Sequence, residues 1–352
     1  MTIRPGTALR GLIGIAISVA AIWILLQSVD LDAALAILGQ ADPTWVLAMI
    51  VVETLDVASR AARWRALLAP IAPVPYARVL GFTYIGYLAN NVLPARLGEL
   101  VRSALLGTRE GLSRTTVLGT VVVERIVDAA IVVAVAAVAV VLLSVGGIVA
   151  TAVLLGAAFV GLLVLGLIAG LVFHRLPGAD RLARFVARWP IIPNLAARLR
   201  DGLAVAGRAS TVAVAIGFSL VAWTMSALTF MFGGMAVGLE LTFVEAALLT
   251  SGVALATIVP SGPGYVGTFE LTAVAIATTL GADPDRAFAM ALLVHAIILA
   301  GTSVGGVIAL AIPGVGRPRR GGDPTPAPDG PAPDPLAPDG PVQDATATSG
   351  SS

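Results

Sequence analysis

Two apolar stretches of this chain are each interrupted by a polar turn rich in Pro and Gly and closed by a glutamate. They are Asn90-Asn91-Val92-Leu93-Pro94-Ala95-Arg96-Leu97-Gly98-Glu99 and Pro260-Ser261-Gly262-Pro263-Gly264-Tyr265-Val266-Gly267-Thr268-Phe269-Glu270. Lipid cannot satisfy the backbone groups such a break frees, so each break must lie against protein or a wet cavity. Paired discontinuous segments point to a transport site near the middle of a membrane.

The membrane setting follows from composition. With 57% hydrophobic and 12% charged residues and a mean hydropathy of +0.94, the chain lies outside the range of soluble domains. Several apolar runs are long enough to cross a hydrocarbon layer of ~30 Å. The absence of cysteine excludes disulfides, thiolate metal sites and cysteine nucleophiles. All 22 basic residues are arginine, a bias that fits a GC-rich genome better than a chemical choice.

Arginines cluster at 4 and 10, 60 to 78, 109 and 114, 175 to 208, and 317 to 320. The loops between carry Asp30, Asp32 and Asp42, then Glu240 and Glu245, then Asp283 and Asp285, with Arg286 the one outer arginine. Arginine-rich loops read as cytoplasmic, which places both termini in the cytoplasm. The chain leaves the cytoplasm after Arg78 and is back by Arg109, yet its apolar limb over 79–93 rises only ~22 Å at 1.5 Å per residue. A re-entrant hairpin over 79–108 fits best, and a second, over 244–281, enters from the opposite face. The reading is an all-α polytopic membrane protein with about six spanning helices, near 11–28, 44–62, 116–144, 148–173, 211–237 and 287–312. The two halves follow the order of an inverted-topology repeat. Arg4, Arg10 and the apolar run after them resemble a signal peptide, but the run is long and Asp30 and Asp32 follow it, so a retained first helix is expected.

The membrane domain spans 1–316. Within it, 174–210 is arginine-rich with Leu, Phe and Trp interleaved and reads as an amphipathic cytoplasmic linker. Residues 317–352 are dominated by Pro, Asp, Gly, Ala and Ser and read as a disordered cytoplasmic tail. Trp23, Trp45, Trp64, Trp189 and Trp223 read mostly as interfacial anchors. Gly146-Gly147 and Gly301-x-x-x-Gly305 permit close helix packing within or between chains, so a homo-oligomer is open.

A charge near the bilayer centre costs ~3 kcal/mol or more and must find a partner. Helical spacing offers Glu99 to Arg102, Arg125 to Asp128, and Asp56 to Arg60, while Glu53 and Glu124 are further intramembrane acids. Free N–H groups at a helix start form an anion site, to which arginine adds bidentate phosphate binding. Asn90, Asn91, Arg96, Glu99, Arg102, Arg125, Asp128 and Ser261 are therefore the candidate residues for a phosphate-bearing headgroup. Glu270 reads either as a protonatable carboxyl coupling transport to a proton gradient or as the partner of an arginine across the repeat interface. His295 reads either as a titrating group or as a hydrogen-bonded packing residue. No metal, cofactor or nucleotide motif and no nucleic-acid-binding pattern is present, and no catalytic residue is assigned.

Arg63-Trp64-Arg65 after the second helix, Asn91-x-x-Pro94-x-Arg96-x-Gly98-Glu99-x-x-Arg102, Glu124-Arg125-x-x-Asp128, and Pro260-Ser261-Gly262-Pro263-Gly264 with Glu270 resemble one family. It is the transmembrane region of lysylphosphatidylglycerol synthases and related flippase-like proteins, and the resemblance covers 11–312. It implies a lipid flippase of the bacterial inner membrane, moving an aminoacylated or anionic phospholipid or related amphipathic lipid between leaflets. It does not imply aminoacyl transfer, which in that family resides in a separate soluble domain that neither 174–210 nor the tail can build. The alternatives are a membrane-embedded enzyme acting on a lipid headgroup, and a non-catalytic scaffold partnering an envelope-lipid synthesis enzyme.

Overall fold

The computed structural model describes residues 5–93, 97–172, 208–257 and 261–316, with their side chains from residue 14 onward except over 163–172. Arg96, Trp189, nearly all of the 174–210 linker and the 317–352 tail lie outside the described residues. Eleven α-helices are described: α1 Pro5–Leu25, α2 Leu31–Gly39, α3 Pro43–Leu68, α4 Tyr76–Val92, α5 Gly98–Arg109, α6 Arg114–Leu142, α7 Gly147–Val172, α8 Ala209–Ala236, α9 Phe243–Ala256, α10 Thr268–Thr279 and α11 Pro284–Ala311. By length and apolarity α6, α8 and α11 can each cross a membrane, and α2 with α3, bent by 90°, passes as a pair.

Polarity is distributed inside out. Ile148 is 85% and Val141 75% exposed, whereas Arg63 is wholly buried and Arg102, Glu124 and Asp128 are buried with it. Water would expel that apolar surface, and lipid accepts it.

Both breaks of the sequence are helix ends. α4 and α5 pack on each other across the first, and Arg78 before it meets Glu110 after it at 2.6 Å, so this unit begins and ends at one place. α9 and α10 pack likewise around the second. The helix contacts pair up across the two halves: α3 lies on α8, α4 on α11 as α9 on α6, and α5 on α6 as α10 on α11. The tips of the two broken units meet, since a Cβ at Gly264 would stand 3.7 Å from the Asn91 carbonyl oxygen.

The acidic loops gather at one end. Asp285 accepts from the Asp30 N–H at 2.8 Å, Ala236 O from the Asp42 N–H at 2.9 Å, and Gly238 O from Arg286 at 2.8 Å. Several of these acids also start helices: Asp30, Asp42 and Asp283 are N-caps and Glu245 completes a capping box with Thr242, worth ~1 kcal/mol each. At the arginine-rich end, Arg65 donates to Val74 O at 3.3 Å and Arg109 to Gly316 O at 3.2 Å.

Three local expectations change. Residues 31–39, read as loop, form α2, which packs on α11. The second helix runs six residues past 62, so Arg63, Trp64 and Arg65 lie inside it; burial against partners outweighs the fall in local hydropathy. Of the tryptophans, Trp64 is fully buried and Trp223 points to a carboxylate, so neither is an interfacial anchor. Of the small-residue motifs, a Cβ at Gly305 would meet Tyr84 of α4 at 2.4 Å, whereas Gly301, Gly146 and Gly147 have nothing within 4 Å.

Candidate functional site

Helix α3 turns Asp56, Arg60 and Arg63 toward α8 and α6, at spacings that keep them on one side of the helix. Arg63 forms a fork with Asp128 of α6, Nη2 to Oδ2 at 3.2 Å and Nη1 closer to Oδ1. It also reaches Glu124 at 3.0 Å and donates to Ser219 of α8 at 2.6 Å. Arg102, brought in by α5, meets Glu124 at 2.8 Å and lies over the Trp64 ring at 4.4 Å. Arg125 completes the set, 2.7 Å from Glu124 and 3.4 Å from Asp128. Beside it, Asp56 holds Arg60 at 2.7 Å and accepts from Ser226 at 2.8 Å, while Arg60 lies over Trp223 at 4.8 Å.

Three guanidinium groups thus share two carboxylates. Burying such charges is costly, and pairing offsets the cost only where hydrogen bonds are nearly complete. Glu124 and Asp128 are sealed, whereas the Arg125 side chain is 40% exposed; its Nη2 is held by both acids, and its Nε, like Arg63 Nε and Glu124 Oε2, is buried without a hydrogen bond. The cluster therefore leaves one guanidinium partly exposed, with buried acids behind it. A partly exposed guanidinium of this kind can bind an oxyanion through the N–H groups that the acids leave free.

A second polar site lies at the other break. His295 of α11 meets Glu270 of α10 through Nδ1 at 2.6 Å and the Gly264 carbonyl through Nε2 at 2.8 Å. A carbonyl only accepts, so Nε2 carries a proton. Nδ1 and Oε1 must then share one more, as imidazolium with carboxylate or imidazole with carboxylic acid. Glu270 Oε2 accepts from the Gly267 N–H at 2.7 Å, and Phe269 stacks on the imidazole at 4.1 Å. The break is a strained stretch: Tyr265 has φ +61 between Gly264 at +65 and Gly267 at +88, a conformation costly for a bulky residue. Helix α1 seats it. Ser18 accepts from the Gly262 N–H at 2.9 Å, and Gly14 lies so close that a Cβ there would stand 2.6 Å from Ser261 O.

The structure brings together Arg102, Arg125 and Asp128, and separately Glu270 with His295. Glu99 does not pair with Arg102, whose guanidinium is drawn to Glu124; Glu99 Oε2 is buried without a hydrogen bond. Asn90 accepts from the Gly98 N–H at 2.7 Å, so the first amide of α5 is engaged by the chain's own side chain. Asn91 donates to Thr302 at 2.9 Å and Ser303 at 3.0 Å on α11. Ser261 is buried at the second break, its Oγ without a hydrogen bond. The partner of Glu270 is His295 in place of an arginine. Outside the candidate set, Arg63, Glu124, Ser219 and Trp223 prove central. Arg63 and Glu124 carried a signal, being charges inside apolar sequence; Ser219 and Trp223 carried none.

The family model described as "Lysylphosphatidylglycerol synthase TM region" matches residues 11–306. The chain belongs to that family. The match takes in both breaks and every member of the two polar sites, so the lysylphosphatidylglycerol synthase transmembrane family is the setting in which they are read. The chain is also similar to a protein named Glycosyltransferase AglD from Haloferax volcanii, 28% identical over 345 residues. That similarity takes in 87% of this chain and 55% of the relative, so the chain spans about half the length of the curated relative it matches. A multi-pass membrane protein with a lipid-related function is the common ground of family and fold.

Proposed function

We propose that this protein is a lipid flippase, moving an anionic or aminoacylated phospholipid or a related amphipathic lipid between leaflets. The observation that carries the reading is Arg125, a partly exposed guanidinium on a buried, charge-paired base. In this mechanism Arg125 takes the headgroup phosphate, with Arg96 and Arg102 contributing positive charge, while Asp128 and Glu124 fix the arginines in place. The α4–α5 and α9–α10 units act as re-entrant hairpins from opposite faces of an inverted repeat, supported by their matched contacts and touching tips. The arginine-rich end faces the cytoplasm of a bacterial inner membrane, with both termini there. Glu270 and His295 hold one exchangeable proton through which transport couples to a pH gradient.

The test is translocation of labelled phosphatidylglycerol in proteoliposomes. Arg125→Ala, eluting as folded protein, is expected to lose translocation; unchanged translocation sinks the reading. A second reading is favoured by the partial match to a longer, glycosyltransferase-named relative: a membrane module that presents lipid to an envelope-synthesis enzyme. Under it, the pure chain moves no lipid and co-purifies with such an enzyme.

A further inference from the structure

A mostly apolar groove runs between α6, α8 and α9, and one of its walls, Trp223, touches the arginine cluster. Its walls are formed by Ile131 and Val135 of α6, Leu220 and Trp223 of α8, and Phe243 and Ala247 of α9, around a cavity of about 90 Å³. Along α6, Arg125, Asp128, Val132 and Val135 follow one another at steps of three and four residues, which places them on one stripe of the helix. On α8, Trp223 faces both ways: its ring lines the groove and its indole N–H donates to Asp128 at 3.1 Å. Trp223 therefore links the arginine cluster to a mostly apolar trough, edged by Thr224, Thr250 and Ser251, on the same side of α6.

We infer that this groove holds an acyl chain of the phospholipid whose headgroup Arg125 binds. The inference rests on the headgroup reading above. From Arg125 to Val135 the stripe rises ~15 Å at 1.5 Å per residue, half the ~30 Å hydrocarbon thickness and thus the depth of one leaflet. An amphiphile with an anionic head and an apolar tail matches the sequence of surfaces in both polarity and length. A helix of a second copy would match the trough but not the guanidinium at its end.

The test uses the full chain in liposomes containing phosphatidylglycerol with a diazirine midway along one acyl chain. Photo-adducts are expected on the α6 and α8 peptides that hold Ile131, Val135 and Leu220. Leu220→Trp and, separately, Thr224→Trp grow bulk from exposed positions at the groove, and each should lower those adducts at least about five-fold. Adducts spread evenly over the exposed faces of α1 and α7, or unchanged by both fillings, overturn the groove even if Arg125→Ala abolishes translocation. Adducts that stay in the groove, form equally with a diazirine diacylglycerol and ignore Arg125→Ala overturn the headgroup reading and the joined site, leaving a chain groove alone. No groove adducts, with the fillings altering oligomer mass, assign the trough to a second copy and overturn the inference.

Discussion

Asp128 of α6 grips Arg63 of α3 with both carboxylate oxygens and also accepts from Ser219, at 3.3 Å, and Trp223, at 3.1 Å, of α8. One side chain thus joins three helices. Removing one member of a buried pair strands the other and costs ~3–5 kcal/mol. Asp128→Ala should therefore lower the thermal midpoint in detergent sharply, and Arg63→Met with Asp128→Leu should recover part of it. A single Asp128→Ala as stable as the native protein would show that Glu124 alone suffices for Arg63.

Gly98 sets the approach of α5 to α4. A Cβ there would stand 2.0 Å from the Gly86 carbonyl oxygen, backbone that cannot step aside cheaply. Gly98→Ala is expected to cost ~1–3 kcal/mol and to loosen Arg102 from Glu124. Gly39→Ala, at the end of α2 with nothing within 4 Å, is the neutral control. Scanning fluorimetry of the two variants separates packing from a general glycine effect.

The seat of the second break on α1 predicts a local effect. Ser18→Ala leaves the Gly262 N–H, which is part-buried, without its acceptor, a loss of ~1 kcal/mol. Hydrogen exchange should quicken over 261–267 and stay unchanged in α6. Gly14→Leu, which drives a side chain against Ser261, should quicken it further. Unaltered exchange in both variants would mean that α1 does not hold the break.

Glu270 and His295 predict a separation of folding from proton coupling. Glu270→Gln can still donate to His295 Nδ1 and accept from the Gly267 N–H, so it should fold near native stability while losing any acceleration by a pH gradient. Glu270→Ala leaves both partners unpaired and should cost ~1–3 kcal/mol. A gradient response retained by Glu270→Gln removes this pair from the mechanism.

How much of this was legible in sequence depends on the range of each contact. Both breaks, and the ends of α6, α8 and α11 to within a few residues, follow from apolar runs and from Pro and Gly. The i,i+4 contact of Asp56 with Arg60 and the i,i+3 contact of Arg125 with Asp128 follow from helical period. The same rule failed for Glu99 and Arg102, because α5 also packs on α6 and Glu124 offers Arg102 a better-buried acceptor.

Sequence alone determined the solvent of this protein, its helical class, the interruptions in its helices and the rule that each buried charge must be paired, since hydropathy, period and desolvation act locally. Only tertiary structure decided who pairs with whom. Arg63 meets Asp128 across 65 residues and Trp223 meets it across 95, through crossings of α3, α6 and α8 that no local pattern encodes. The same packing chose His295 for Glu270, gave the Gly98 amide to Asn90, and left Arg125 as the cluster's outward face. Side-chain partners in a bundle are fixed by how close and at what rotation helices pack, and small residues such as Gly86, Gly98 and Gly305 set those distances only once their neighbours are known.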